Sequence, residues 1–146
     1  EASAKSAAML SGKSIPFIEN ISKAAKLIGI AFQVRDDLLD YGVSKGNIGK
    51  PEMQDILEDK ITYPLYFALK YSNKKDSSKI LKKLKNKDFS IEEVADFVSS
   101  SNAFNKCNSL IQNYNNEISK CINQISNKEI RDEMLNLSES LKNRYE

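Results

Sequence analysis

The sequence is poor in several residue types, and each scarcity narrows what the chain can be. It has no histidine and no tryptophan, only five glycines and three prolines, and no apolar run as long as a membrane span requires. Without histidine, the commonest general base and metal ligand is missing. Any bound metal must therefore be held by oxygen, which favours Mg²⁺, Mn²⁺ or Ca²⁺ over Zn²⁺.

The charges nearly balance. The 146 residues include 22 basic and 20 acidic side chains, a formal net charge of +2. The basic residues are spread along the chain, so nothing indicates a nucleic-acid partner. This length is sufficient for one domain with a hydrophobic core.

The two cysteines, Cys107 and Cys121, are spaced to lie on the same face of a helix. This spacing does not suit zinc, and a disulfide within one helix is excluded by distance. Both are expected to pack in the core as free thiols. Free thiols and the lack of a secretory signal predict a cytoplasmic location.

The rest of the pattern is helical throughout, with no alternation of the kind that strands show. Long helices joined by short loops predict an all-α antiparallel bundle. Helices are expected over about 1–10, 17–43, 53–72, 74–87 and 91–101, then 102–126 and 128–145, with Pro64 kinking or dividing the third. Ser90 and Glu93 have the spacing of a capping box.

The helix pattern is already running at residue 1, with no cap or initiator methionine before it. We therefore expect the chain to be part of a longer one.

One face of the second helix carries chemistry. At 100° per residue, a polar stripe includes Gln33, Asp36, Asp37 and Asp40, while most of the circumference is apolar. Carboxylates this close on a largely buried helix repel one another and favour a bound cation. Asp36 and Asp40 are one turn apart and can share one Mg²⁺ that keeps waters and takes phosphate oxygens. A merely solvated acidic face is the plainer alternative.

The following segment adds cations. Lys50 lies in a Gly-Lys-Pro turn and Lys60 lies ten residues later. A lysine on a glycine loop beside a carboxylate site can neutralise diphosphate oxygens. Each lysine could equally be an ordinary surface residue.

Together these features resemble a known family. GIAFQVRDDLLDY, then GK, then DxxxxKxTxP, is similar to the second aspartate-rich region of trans-isoprenyl (polyprenyl) diphosphate synthases. AKSAAML resembles that family's Lys-Thr helix, with Ser6 where threonine is usual. The resemblance covers about residues 4–69. Residues 1–146 would then be the C-terminal portion of a single isoprenoid-synthase domain.

The resemblance implies a Mg²⁺-dependent prenyltransferase, with Mn²⁺ as a substitute, that joins an allylic prenyl diphosphate to isopentenyl diphosphate. Family members are usually homodimers, and the tail from Ser72 onward is closer to the long-chain, quinone-precursor branch. By position, the metal ligands would be Asp36, Asp37 and Asp40. The residues contacting allylic diphosphate would be Lys5, Ser6, Gln33, Lys50 and Lys60, the two last being the catalytic pair.

Two departures from the family pattern stand out. The family commonly has glycine near Met53, so this loop should be less mobile. The first aspartate-rich motif does not occur in this sequence. We therefore predict that this polypeptide alone does not elongate prenyl chains.

Three other interpretations stay open. The chain could be a non-catalytic helical subunit of a heteromeric prenyl synthase, although such a subunit should lose the metal site. It could belong to another Mg²⁺–diphosphate enzyme such as a terpene cyclase, although the usual Asn/Ser/Glu metal triad of that class is not found. It could also be a plain helical interaction module with a basic face around residues 79–87.

Overall fold

The structure is a computed structural model that describes residues 1–42 and 53–143. Within those ranges it contains eight α-helices and no strands, which confirms the all-α prediction. The helices are α1 (Ala2–Leu10), α2 (Ile15–Asp40), α3 (Gln54–Leu57), α4 (Tyr63–Tyr71), α5 (Lys74–Asn86), α6 (Ile91–Ser99), α7 (Ala103–Asn123) and α8 (Lys128–Asn143). The described residues include no helix long and apolar enough to cross a membrane.

The ends of α2 differ slightly from the prediction. The helix begins at Ile15, two residues early, because Pro16 fits the first turn, where its missing N–H is not needed. It ends at Asp40 and is followed by a turn at Tyr41 and Gly42. Gly42 has φ +72°, a left-handed conformation that glycine adopts without steric cost. The turn therefore stops α2 directly after its last aspartate.

Pro64 divides the predicted third helix instead of kinking it. The short α3 ends at Leu57, and α4 starts afresh with Pro64 in its first turn. The predicted cap on α6 is confirmed, since the Ser90 hydroxyl accepts a hydrogen bond from the Glu93 N–H at 3.1 Å. Caps of this kind contribute about 1 kcal/mol.

The chain forms two compact units, Glu1–Gln33 with Leu110–Glu146, and Val34–Ser109. In the first unit, a buried cluster joins α2, α7 and α8. Its buried members are Ala24, Ile118, Cys121 and Ile122, with Leu27, Ile28, Met134 and Leu135 packed against them. Burial of this apolar surface stabilises the unit at about 25 cal/mol per Å².

The second unit has its own core, to which α3–α6 and the start of α7 contribute. Its buried members are Tyr41, Met53, Ile56, Leu65, Ala68, Ile80, Val94, Val98 and Ala103. Cys107, in the same unit, is also fully buried. Both cysteines are buried free thiols, as predicted. Burial, and to a smaller degree the charge of Asp37, raises the pKa of the Cys107 thiol to about 12.

Candidate functional site

An open cleft of about 400 Å³ lies in the second unit, where α2 ends and α3 begins. Four of its five lining residues are polar, and three of these are acidic. The five are Asp36, Leu39, Asp40, Gln54 and Asp55. The two aspartates that the helical spacing predicted as partners, Asp36 and Asp40, therefore do face a common space.

Asp40 also holds the start of α3 in place. Its Oδ1 accepts a hydrogen bond from the Gln54 N–H at 3.0 Å, and its main-chain carbonyl accepts one from the Met53 N–H at 3.2 Å. These bonds join residues fourteen and thirteen positions apart and satisfy amide groups that the helix start would otherwise leave unbonded. Asp40 thus both lines the cleft and shapes its far wall.

Met53, the residue before α3, also fixes the position of this helix. Its backbone is left-handed, with φ +52°, a conformation that costs energy for a residue with a side chain. Its side chain is completely buried in the core of this unit. A glycine would adopt this backbone without steric cost, whereas for Met53 the burial of the side chain offsets the cost.

Asp37, the third aspartate of the polar stripe, is buried. It is 4% exposed, and its Oδ2 accepts a hydrogen bond from the Tyr63 N–H at 3.0 Å. Asp37 lies at the edge of the stripe, next to the helix face that carries Tyr41, and packing draws it inward. The Thr62 side chain makes no capping bond, so this carboxylate caps the first turn of α4.

Lys60 does not line the cleft, but its side chain contacts Asp55, which does. Its Nζ lies 2.6 Å from Glu58 Oε2 and 3.2 Å from Asp55 Oδ1, and its side chain is largely exposed. The hydrogen bond to Glu58, followed by the one to Asp55, raises the pKa of Lys60 above its ordinary value. Lys60 is therefore a protonated cation at the border of the site, held by two carboxylates.

Gln33, Lys5 and Ser6 are not among the described residues that line the cleft. Gln33 is an exposed residue of α2, one turn before Asp36. Lys5 and Ser6 are exposed residues of α1, in the first unit. Lys50, together with the predicted glycine loop, lies outside the described residues.

Asp55 is a site residue that the sequence reasoning did not identify. Its side chain is about three-quarters buried, lines the cleft and contacts Lys60. The available signal was its position at the head of DxxxxKxTxP, to which we assigned no role of its own. Its spatial approach to Asp36 and Asp40 depends on the turn after α2, which helical periodicity does not describe.

The donor set fits a hard divalent cation. The cleft offers carboxylate and amide oxygens, the ligands that Mg²⁺ and Mn²⁺ prefer. In the described part of the chain, no three His, Cys, Asp or Glu side chains converge closely enough to hold a metal ion by themselves. An open cleft with few protein ligands suits Mg²⁺, which keeps waters and takes phosphate oxygens.

Comparisons with known proteins show which family the chain resembles. A profile of the family described as polyprenyl synthetase matches residues 1–101. The probable hexaprenyl pyrophosphate synthase, mitochondrial, of Yarrowia lipolytica is 29% identical over 143 residues, which are 97% of this chain and 31% of that protein. The heterodimeric geranylgeranyl pyrophosphate synthase large subunit 1, chloroplastic, of Arabidopsis thaliana is 43% identical over 72 residues, 49% of this chain and 19% of that protein.

A solved structure shares the fold. The crystal structure of a decaprenyl diphosphate synthase from Rhodobacter capsulatus matches with a TM-score of 0.84 at 19% identity, covering 97% of this chain and 45% of the other. The fold is therefore the all-α fold of prenyl diphosphate synthases. The chain belongs to the polyprenyl synthetase family, and it spans less than a third of the two curated relatives named above.

Proposed function

We propose that this chain is the portion of a polyprenyl diphosphate synthase that holds the second aspartate-rich site. The parent enzyme would condense an allylic prenyl diphosphate with isopentenyl diphosphate. The observation that carries the proposal is the shared cleft of Asp36, Asp40 and Asp55, in a chain of the polyprenyl synthetase family. The hexaprenyl relative supports a long-chain product of the quinone side-chain type.

In this proposal, Asp36 and Asp40 hold Mg²⁺ or Mn²⁺, and Asp55 supports it from the facing wall. The bound ion would supply positive charge to the departing diphosphate. Asp37, predicted as a third ligand, is instead assigned to shaping the site, because its Oδ2 accepts from the Tyr63 N–H. Gln33 projects from the same helix and would donate its amide N–H to a diphosphate oxygen.

The lysines would complete the neutralisation of the diphosphate. Lys60 would leave Glu58, its nearer and largely exposed carboxylate partner, since ion pairs between exposed side chains contribute little to stability. Lys50, Lys5 and Ser6 keep the diphosphate contacts that the family resemblance implies. Charge stabilisation by fixed cations, rather than proton transfer, is the main contribution that these side chains would make.

The proposed assembly is a homodimer of the parent enzyme, and the proposed location is the cytoplasm. The alternative of a heteromeric synthase has one observation in its favour, since one relative is the large subunit of a heterodimeric enzyme. Size-exclusion chromatography with light scattering on the parent enzyme would distinguish the two, because a second, different polypeptide would co-purify only in the heteromeric case.

Calorimetric titration of inorganic pyrophosphate into the chain tests the site. After subtraction of the same titration without protein, we expect heat of binding with MgCl₂ present and none with EDTA, because the carboxylates repel the anion unless a cation bridges them. Equal binding under both conditions would contradict the metal-bridged site. A parallel assay with radiolabelled isopentenyl diphosphate should show no turnover by the isolated chain, since the first aspartate-rich motif does not occur in its sequence.

A further inference from the structure

A second concave site lies in the unit Val34–Ser109, between the α3–α4 connection and α5. It has a volume of about 420 Å³, within the range of small-molecule pockets, and shares no lining residue with the aspartate cleft. Its apolar walls are formed by Ile56, Ile61, Leu65, Leu81, Leu84 and Phe89. We refer to it below as the α5 groove.

The α5 groove leaves apolar surface in water. Ile61 is 61% exposed and Leu81 is 45% exposed, while Ile56 and Leu65 form a buried floor beneath them. Contiguous apolar surface bordered by polar groups marks a binding site more often than isolated exposed residues do. Because this surface is concave, it suits an inserted chain better than a flat contact.

Cations dominate the polar border. Lys60, Lys85 and Lys87 line the groove, and Asp59 is the one acidic side chain among its described lining residues. Lys87 Nζ lies 2.7 Å from Asp59 Oδ2, but both side chains are more than 60% exposed, and pairs this exposed contribute little. Lys85 has no ion-pair partner in the part of the chain that the structure describes. Lys85 and Lys87 can therefore both turn towards an anion.

We propose that the α5 groove binds one molecule of an anionic amphiphile, a single aliphatic chain with a phosphate head group. The chain would lie against Leu81 and Ile61, and the head group would contact Lys85 and Lys87. This site goes beyond the proposed prenyl transfer and does not rest on it. It also gives a role to the basic stretch of α5, which the aspartate cleft leaves unused.

Dodecyl phosphate, kept below its micelle concentration, is the probe. Calorimetry with the whole 146-residue chain in EDTA should show saturable binding of one molecule. Dodecanol should bind at least about tenfold more weakly, because it lacks the charge-assisted contacts to lysine. Inorganic phosphate should show no binding, because it buries no apolar surface.

Matched variants locate the site. Lys85→Glu should weaken binding about tenfold or more by placing like charge beside the head group, whereas Lys82→Glu makes the same change on α5 outside the groove lining and should leave affinity within about twofold. Leu81→Ser should weaken binding, and Leu137→Ser, a similarly exposed leucine on α8, should not. Far-UV circular dichroism would establish that each variant is folded.

Several outcomes would overturn the proposal. Equal affinity for dodecanol would remove the role of the lysines, and equal weakening by Lys82→Glu would show only a general effect of charge. Binding to anionic phospholipid vesicles without binding to monomeric dodecyl phosphate would indicate a membrane-facing surface instead. Loss of binding in Asp36→Asn would place the probe in the aspartate cleft, which would contradict the α5 groove and leave the proposed function standing.

Discussion

Asp37 Oδ2 accepts a hydrogen bond from the Tyr63 main-chain N–H at 3.0 Å, across 26 residues of sequence. The bond ties the last turn of α2 to the first turn of α4. The aspartates of one DDxxD sequence thus lie in different surroundings. Asp36 and Asp40 line the cleft, whereas Asp37 is buried. Replacing each should therefore give a different phenotype.

The Asp37 bond predicts a loss of stability. Asp37→Ala should lower the free energy of unfolding by about 1–3 kcal/mol, because it leaves the Tyr63 N–H without this acceptor. Asp37→Asn should cost less, since the amide oxygen still accepts a hydrogen bond. Urea denaturation followed by circular dichroism measures both. Asp36→Asn is the control, and a larger loss there than in Asp37→Ala would contradict the division of roles.

Met53 predicts a conflict between backbone and packing. Met53→Gly relieves a left-handed backbone worth roughly 1 kcal/mol but removes a fully buried side chain worth about 2–5 kcal/mol. We therefore expect net destabilisation in urea denaturation. Met53→Leu keeps the volume and should cost less than about 1.5 kcal/mol. A Met53→Gly variant more stable than the unmodified chain would show that strain outweighs packing here.

Burial of Cys107 predicts that its thiol is inert in the folded chain. With a pKa of about 12, it is protonated at neutral pH, and the thiolate is the reactive form. In a Cys121→Ser variant, we expect no reaction with a thiol reagent at pH 8 until denaturant is added. Rapid labelling of the folded variant would contradict the buried placement.

The raised pKa of Cys107 also makes the stability of the chain depend on pH. The unfolded thiol ionises near pH 9 and the folded one near 12, so above pH 9 the unfolded state binds fewer protons. The contribution of the buried thiol to the free energy of unfolding is therefore complete below pH 9. Above pH 9 it declines as the pH rises, by at most about 1.4 kcal/mol per pH unit. Cys107→Ala should remove this part of the decline. The free energy of unfolding should therefore fall less between pH 8 and pH 10 in the variant than in the unmodified chain. An equal fall in both chains would contradict the raised pKa of Cys107.

Much of the fold follows from local pattern. The 3.6-residue period predicts the helices, and the Ser90 cap is read from residues three apart. The pairing of Asp36 with Asp40 also follows, because both residues lie one turn apart on one helix.

The parts that the sequence did not reveal depend on distant contacts. The burial of Asp37 depends on where α4 begins, 26 residues later. The position of Asp55 in the cleft depends on the hydrogen bond between Asp40 and Gln54 and on the left-handed backbone of Met53. The contact of Lys60 with Asp55 and Glu58 likewise arises from the turn after α3, so its charge is partly neutralised in a way that its spacing from Lys50 does not indicate.

Titration of Mn²⁺ in the presence of pyrophosphate, followed by electron paramagnetic resonance, tests the central claim most directly. Pyrophosphate itself complexes Mn²⁺, so the free Mn²⁺ signal is compared with that of a matched solution without protein, and the chain should lower it further. Asp36→Asn should weaken this binding by about tenfold or more, because it removes a negatively charged ligand. Asp96→Asn, the same change on an exposed residue of α6, should leave binding unchanged. If both variants bind Mn²⁺ as tightly as the unmodified chain, the aspartate cleft is not the metal site.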